Sequence, residues 1–161
     1  MKYRIMTMAA VIAAASILPV YALSEEELIE AAKEYIPAEA EFIEMEKDGK
    51  FWEAEFILDQ QEYEVILTGK GKVKEVEFDA HPETGGKSFA LETDEIRRLI
   101  RKQYGNAEKI RIRKKQSRKK GCTYEVKFRS DEIRGEVKFN AETGEIIEYE
   151  LRYSRSAAAL P

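Results

Sequence analysis

The residues able to do chemistry are few in kind. The chain carries one histidine, His81, and one cysteine, Cys122, among 161 residues. A single imidazole excludes any proton relay that needs two. Cys122 opens an apolar-alternating stretch, so its plain reading is a small core residue, with an intermolecular or catalytic thiol as the alternative. Asp79, His81 and Glu83 form a D-x-H-x-E set, and imidazole with carboxylates suits a divalent ion such as zinc. That set sits in a Pro- and Gly-bearing segment that does not impose ligand geometry, so it reads as a polar linker. The glutamate pairs Glu44/Glu46 and Glu53/Glu55 invite acid–base catalysis, which needs one carboxyl kept protonated by burial beside an ionised partner. Each alternates with apolar residues and therefore falls on a wet face. No phosphate-cradling glycine loop and no nucleophile elbow is present. The residues imply a protein that is not an enzyme and calls for no cofactor and no metal.

The other candidate is electrostatic. Lys114-Lys115-Gln116-Ser117-Arg118-Lys119-Lys120 is the densest charge run. Together with Arg111, Arg113 and Lys109 it could grip phosphate or an anionic membrane surface; the alternative is a solvated hairpin tip. Stacking aromatics are not interleaved, and the net charge is −4, which argues against nucleic acid. Charge is also divided unevenly. Residues 23–80 hold 18 acidic and 6 basic side chains, a net of −12, whereas residues 91–153 hold 12 and 17, a net of +5. Opposite blocks attract over a Debye length of about 8–10 Å. They make a bipolar surface for docking the halves on each other or on a partner, unless two solvated surfaces have simply diverged.

The elements that must position these groups follow from periodicity. Lys2 and Arg4 precede an apolar run from Ile5 to Val20, and Val20-Tyr21-Ala22 suits a signal peptidase. The run of about 16 residues is shorter than a membrane-spanning helix needs. Residues 1–22 thus read as a secretory signal, which places the mature chain in the periplasm or outside the cell, with no integral span after cleavage. One Cys makes no intrachain disulfide, so the mature chain must rest on its hydrophobic core. Ser24-Glu25-Glu26-Glu27 is a capping box. Leu28, Ile29, Ala32, Tyr35 and Ile36 form a helical stripe ended by Pro37. Four strands follow, with apolar sets Ile43/Met45, Trp52/Ala54/Phe56/Leu58, Tyr63/Val65/Leu67 and Val76/Phe78 alternating with glutamates.

After a Pro- and Gly-bearing linker at 81–90 the pattern starts again. Ile96, Leu99, Ile100 and Tyr104 make a second helical stripe closed by Gly105. Ile110/Ile112, Tyr124/Val126/Phe128, Ile133/Val137/Phe139 and Ile147/Tyr149/Leu151/Tyr153 make four more strands, with Gln116 to Gly121 read as a long basic turn. Trp52-Glu53-Ala54-Glu55-Phe56 aligns with Tyr124-Glu125-Val126-Lys127-Phe128, and Tyr63-Glu64-Val65 with Gly135-Glu136-Val137, both 72 positions apart. Gly71 and Gly144 fall at matching turns, 73 apart. The prediction is an α+β protein of two tandem units, 23–80 and 91–153. Each is one helix packed on a four-stranded antiparallel meander, with a tail at 154–161.

These units resemble the PepSY family. The residues that carry the likeness are the acidic amphipathic helix, the Tyr-Glu-Val strands and the run Asn140-Ala141-Glu142-Thr143-Gly144-Glu145, in which Asn140 replaces the family's Asp. The first copy, with Phe51-Trp52-Glu53-Ala54-Glu55-Phe56 and Glu62-Tyr63-Glu64-Val65, looks more like the β-lactamase-inhibitor-like branch, and has Leu67-Thr68-Gly69-Lys70-Gly71 in place of that ending. The resemblance implies an exported, non-enzymatic protein-binding module. PepSY domains are thought to restrain peptidases, and the β-lactamase inhibitory protein presents a tandem helix-and-sheet pair to an enzyme. No peptidase and no His-Glu-x-x-His follows in this chain, so such restraint would act in trans. The alternative is a structural or sensory envelope domain that binds anionic polymer or lipid head groups through the hairpin 109–120.

Overall fold

The computed structural model describes residues 22–80 and 84–154. All of the signal segment except Ala22, the pair His81 and Glu83, and the tail beyond Ser154 lie outside the described residues. Helix α1 spans Glu25–Lys33 and α2 spans Thr93–Tyr104. The capping box at α1 is formed: the Ser24 amide donates to Glu27 Oε2 at 2.8 Å, and the Glu27 amide donates to Ser24 Oγ at 3.3 Å. At α2 the Glu92 amide donates to Glu95 Oε2 at 2.8 Å, and Gly105 closes the helix at φ +61°. Helix α1 stops at Lys33, earlier than the stripe through Ile36 predicts. Pro37 disfavours helical backbone in the residue before it, so Tyr35 and Ile36 pack from a turn instead.

The strands are β1 (Glu41–Asp48), β2 (Phe51–Leu58), β3 (Gln61–Thr68), β4 (Val73–Ala80), β5 (Glu108–Ser117), β6 (Gly121–Arg129), β7 (Ile133–Asn140) and β8 (Ile146–Tyr153). Each quartet is the predicted meander. The quartets do not stand apart: β4 pairs antiparallel with β8, giving one eight-stranded sheet in the order β1-β2-β3-β4-β8-β7-β6-β5. Glu77 lies opposite Glu150 at the middle of this seam. These two occupy equivalent positions in the copies, so the halves are related by a local two-fold through that pair.

The duplication extends to contacts that hydropathy does not show. Gly71 and Gly144 both have positive φ, +72° and +77°. A Cβ on Gly71 would come within 2.7 Å of Leu23, and one on Gly144 within 2.9 Å of Leu91. In each copy, then, the leucine just ahead of the helix caps the glycine turn before the last strand, where only glycine leaves room. The corresponding amides are also tied down, Leu23 to the Gly69 carbonyl and Leu91 to the Ala141 carbonyl.

Both helices lie on one face of the sheet. One row across that face runs Phe42, Phe56, Tyr63, Phe78, Tyr149, Val137, Val126, Ile112. Leu28 and Ala32 of α1 and Ile96, Ile100 and Tyr104 of α2 complete a single core that crosses the seam. Phe78 stacks on Tyr149 at 5.1 Å between centroids, and Tyr35, just past α1, meets Tyr153 of β8 edge-on at 5.3 Å. Cys122 is a buried free thiol in this core, as its spacing predicts. Burial pushes the Tyr153 phenol up to about 12.

The described part of the inter-unit segment is fastened to the second unit. The Gly85 amide donates to the Lys120 carbonyl, Gly86 exchanges two hydrogen bonds with Cys122, and Asn140 Nδ2 donates to the Thr84 carbonyl.

Candidate partner-binding surface

Period-2 alternation leaves the opposite face of the sheet to charged residues, and no helix covers it among the described residues. Pairing turns the linear alternation into rows. The central row runs Glu44, Glu55, Glu64, Glu77, Glu150, Glu136, Lys127, Arg111. Six carboxylates thus stand side by side across six strands before the sign changes. A parallel row runs Ile57, Glu62, Asp79, Glu148, Lys138, Glu125, Arg113. The third runs Glu46, Glu53, Ile66, Glu75, Arg152, Arg134, Arg129, Glu108. The uneven division of charge along the chain becomes one continuous surface, acidic from β1 across β4 and basic toward β5.

Like charges directly opposed on neighbouring strands destabilise a sheet. Part of this repulsion is neutralised locally. Arg152 reaches Glu75 at 2.8 Å and Glu150 at 2.7 Å, Lys127 reaches Glu136 at 2.6 Å, and Lys138 pairs with Glu148. Among the described residues, Glu64 and Glu77 have no ion-pair partner. Burial, then the charges of Glu53, Glu55 and Glu75, hold Glu64 above the ordinary carboxylate range. Burial, with Glu64 and Glu75, does the same to Glu77, against a lowering by Arg152. A depression of about 360 Å³ opens here, lined by Glu55, Glu64, Glu77, Asp79, Glu148 and Glu150, with Ile43 and Ile57 toward β1.

Glu75, Glu77 and Glu150 offer oxygens within 4.8 Å of one another, the one carboxylate trio compact enough for a metal among the described residues. The Arg152 guanidinium, bound to two of the three, already supplies a cation there. Of the D-x-H-x-E set only Asp79 is described, and it belongs to this acidic face rather than to the linker.

The seven basic candidates do not form one patch. Arg111, Arg113 and Lys115 point to the helix-free face, where Lys115 lies 3.7 Å from Glu125. Lys114 points to the helix side, its Nζ over the rings of Phe89 and Tyr124 at 5.1 and 5.7 Å. Arg118, Lys119 and Lys120 make the turn, whose Lys119 and Lys120 amides donate to Ser117 Oγ. The predicted long basic turn from Gln116 to Gly121 is shorter than that, because β5 stays paired to Ser117 and β6 begins at Gly121. The sequence shows the acidic half as a net charge but not its rows, because only strand pairing brings Glu55, Glu64, Glu77 and Glu150 side by side.

Among the described residues, no helix is long and apolar enough to cross a membrane. The family model described as "Peptidase propeptide and YPEB domain", PepSY, matches residues 22–85 and again 90–150. No curated protein matches the chain. A BLIP-like protein from Bacteroides fragilis is similar in structure at 15% identity, with a TM-score of 0.34 over 85% of this chain and 93% of that one. A DUF2874 family protein from Bacteroides uniformis is similar at 14% identity, with a TM-score of 0.32 over 79% and 88%.

Proposed function

The chain belongs to the PepSY family, matched once in each half, and from that membership we propose that it is an exported, non-enzymatic protein-binding module that restrains a secreted or envelope hydrolase of peptidase or β-lactamase type. Export rests on the basic start and apolar run of residues 1–22. The observation that carries the binding role is the helix-free face. It joins both units, no helix covers it among the described residues, and its central carboxylates Glu64 and Glu77 oppose one another with no ion-pair partner among those residues. A partner bearing Lys or Arg opposite this row would relieve that repulsion, and Arg111, Arg113 and Lys115 at the far end would steer its orientation. The two ends of the face differ in sign, so the units act as one bipolar surface rather than as two equivalent sites.

The test is affinity capture from envelope and culture extracts with mature chain 23–161 and with a Glu64→Lys/Glu77→Lys variant, alongside inhibition assays on secreted hydrolases. The expected result is a hydrolase retained by the native face and released by the variant. Recovery of no partner together with no inhibition would sink the reading, as would a partner held equally by both proteins.

A second reading has one observation in its favour. Arg118, Lys119 and Lys120 are exposed at the β5–β6 turn, beyond Lys115 on the same hairpin. Such a tip suits an anionic polymer or lipid head groups. Neutralising Arg118, Lys119 and Lys120 should then abolish binding to anionic vesicles, and binding that ignores both these charges and salt would refute it.

A further inference from the structure

The sheet has two ends, β1 and β5, and neither is paired on its outer side among the described residues. An open edge presents unpaired N–H and C=O groups and is a template for another strand. These edges are unlike. Strand β1 carries Glu41, Glu44, Glu46 and Asp48 against one Lys47, while β5 carries Lys109, Arg111, Arg113, Lys114 and Lys115 against one Glu108. The apolar residues of β1 are also poorly covered: Phe42 is 36% exposed and Ile43 54%. We infer that the β1 edge receives the β5 edge of a second copy of this chain, so that molecules associate head to tail through a shared antiparallel sheet.

Three features make the edges fit. Every neighbouring pair in the sheet is antiparallel and the strands number eight, so β1 and β5 run in opposite directions. A copy that continues the sheet through the joint, with the usual strand twist, therefore meets it antiparallel and with its helices on the same side of the sheet. Side-chain parity also agrees. Glu44 and Glu46 lie on the helix-free face with Glu55 and Glu53, and Arg111 and Arg113 lie there with Lys127 and Glu125. A register that sets Glu44 against Arg113 and Glu46 against Arg111 places opposite charges directly across the new joint, while Met45 and Ile112 share the helix side. Charge also decides which edges meet. Two β1 edges would oppose Glu with Glu and two β5 edges Arg with Lys, so only the unlike pairing is favoured. The bulges after Phe42 and after Glu108 confine regular pairing to the later parts of both strands. Such a contact is heterologous and extends into a series of oligomers instead of stopping at a dimer.

Sedimentation velocity of the mature chain tests this directly. At about 0.01 M salt, where the Debye length is about 30 Å, the native protein should show a concentration-dependent series of dimer, trimer and larger species. At about 1 M salt the association constant should fall at least tenfold. Glu44→Lys/Glu46→Lys and Arg111→Glu/Arg113→Glu should each remain monomeric, because each then sets like charges directly across the joint at positions 44/113 and 46/111. An equimolar mixture of these two variants should associate again, which separates the edge joint from simple misfolding. A native protein that stays monomeric at low salt, a species that ends at the dimer, or a mixture that fails to associate would each overturn the inference.

Discussion

Replacing Glu64 with Gln should stabilise the protein at neutral pH, although it removes a charge from a sheet of partly exposed residues. Glu64 is flanked across β2 by Glu55 and across β4 by Glu77, in direct register on both sides. Two unit charges about 6 Å apart repel by about 0.7 kcal/mol at the dielectric of water. Opposite-charge cross-strand pairs are worth roughly 0.2–1 kcal/mol, and like charges directly opposite are destabilising. Gln removes two such repulsions while keeping the side chain's shape, and solvent and salt screen part of each. The expected gain is about 0.5–1 kcal/mol, a rise in melting temperature of roughly 2–4 °C for a folded part of this size. The pH dependence fixes the cause. Glu64 is held above its unfolded value in the fold, so its penalty is fully present above that raised value. As pH falls through it, the folded protein takes up a proton that the unfolded chain does not yet bind, and the penalty disappears. The advantage of Gln should therefore be present at pH 7, shrink toward pH 4 and weaken in high salt. Thermal melts followed by circular dichroism at both pH values are sufficient. A variant that melts lower at pH 7, or gains equally at pH 4 and pH 7, would show that the row of carboxylates is not strained and would remove the main support for a docking face.

Other outcomes follow from particular contacts. Asp59 and Gln60 form the two-residue β2–β3 turn with φ of +49° and +69°, a backbone that L side chains resist, so Gln60→Gly should raise stability by about 0.5–1 kcal/mol in denaturant melts. Gly135 lies opposite Phe128, whose ring carbons would be 2.2 Å from an added Cβ, so Gly135→Ala should destabilise by about 1–3 kcal/mol and Gly135→Val by more. The core crosses the seam, so calorimetry should show one unfolding transition for both units, and Phe78→Ala should lower it as a whole by roughly 3–5 kcal/mol. Two separate transitions, of which Phe78→Ala moves only the first, would contradict a single body.

The elements were legible in the sequence and their joining was not. The helix stripes, the turn glycines and the alternation of apolar residues with charges are local signals, and the strands appear where those signals place them. The β4–β8 pairing depends on which strand edges remain open, and alternation is blind to that. Val76 and Phe78 alternate with Glu75 and Glu77 much as Val65 and Leu67 do with Glu64. The scattering of the basic candidates was partly legible. Lys114 continues the two-residue period of Ile110 and Ile112, so parity already assigned it to the helix side, away from Arg111, Arg113 and Lys115. Grouping by nearness along the chain concealed this. The acidic face was concealed in the same way, since Glu55, Glu64, Glu77 and Glu150 are far apart in sequence and become neighbours only through pairing.

The seam also shows how two diverged copies form one bipolar face rather than two equivalent ones. Under the local two-fold, the pair Glu75–Arg152 corresponds to the pair Glu148–Asp79. The first is a salt bridge; the second sets two carboxylates across the same joint, with Lys138 drawn from the next strand to Glu148. If every position obeyed the two-fold, the face would carry the same charge on both halves and would present a partner with two equivalent orientations. Arg152 in place of an acid, and Lys127 and Arg111 where the first copy has Glu55 and Glu44, break that equivalence along the rows a partner would touch. The core positions, which must still pack two helices on one sheet, kept their period. Packing thus occupies one set of alternate residues of these strands, and the change of sign across the face lies on the other set.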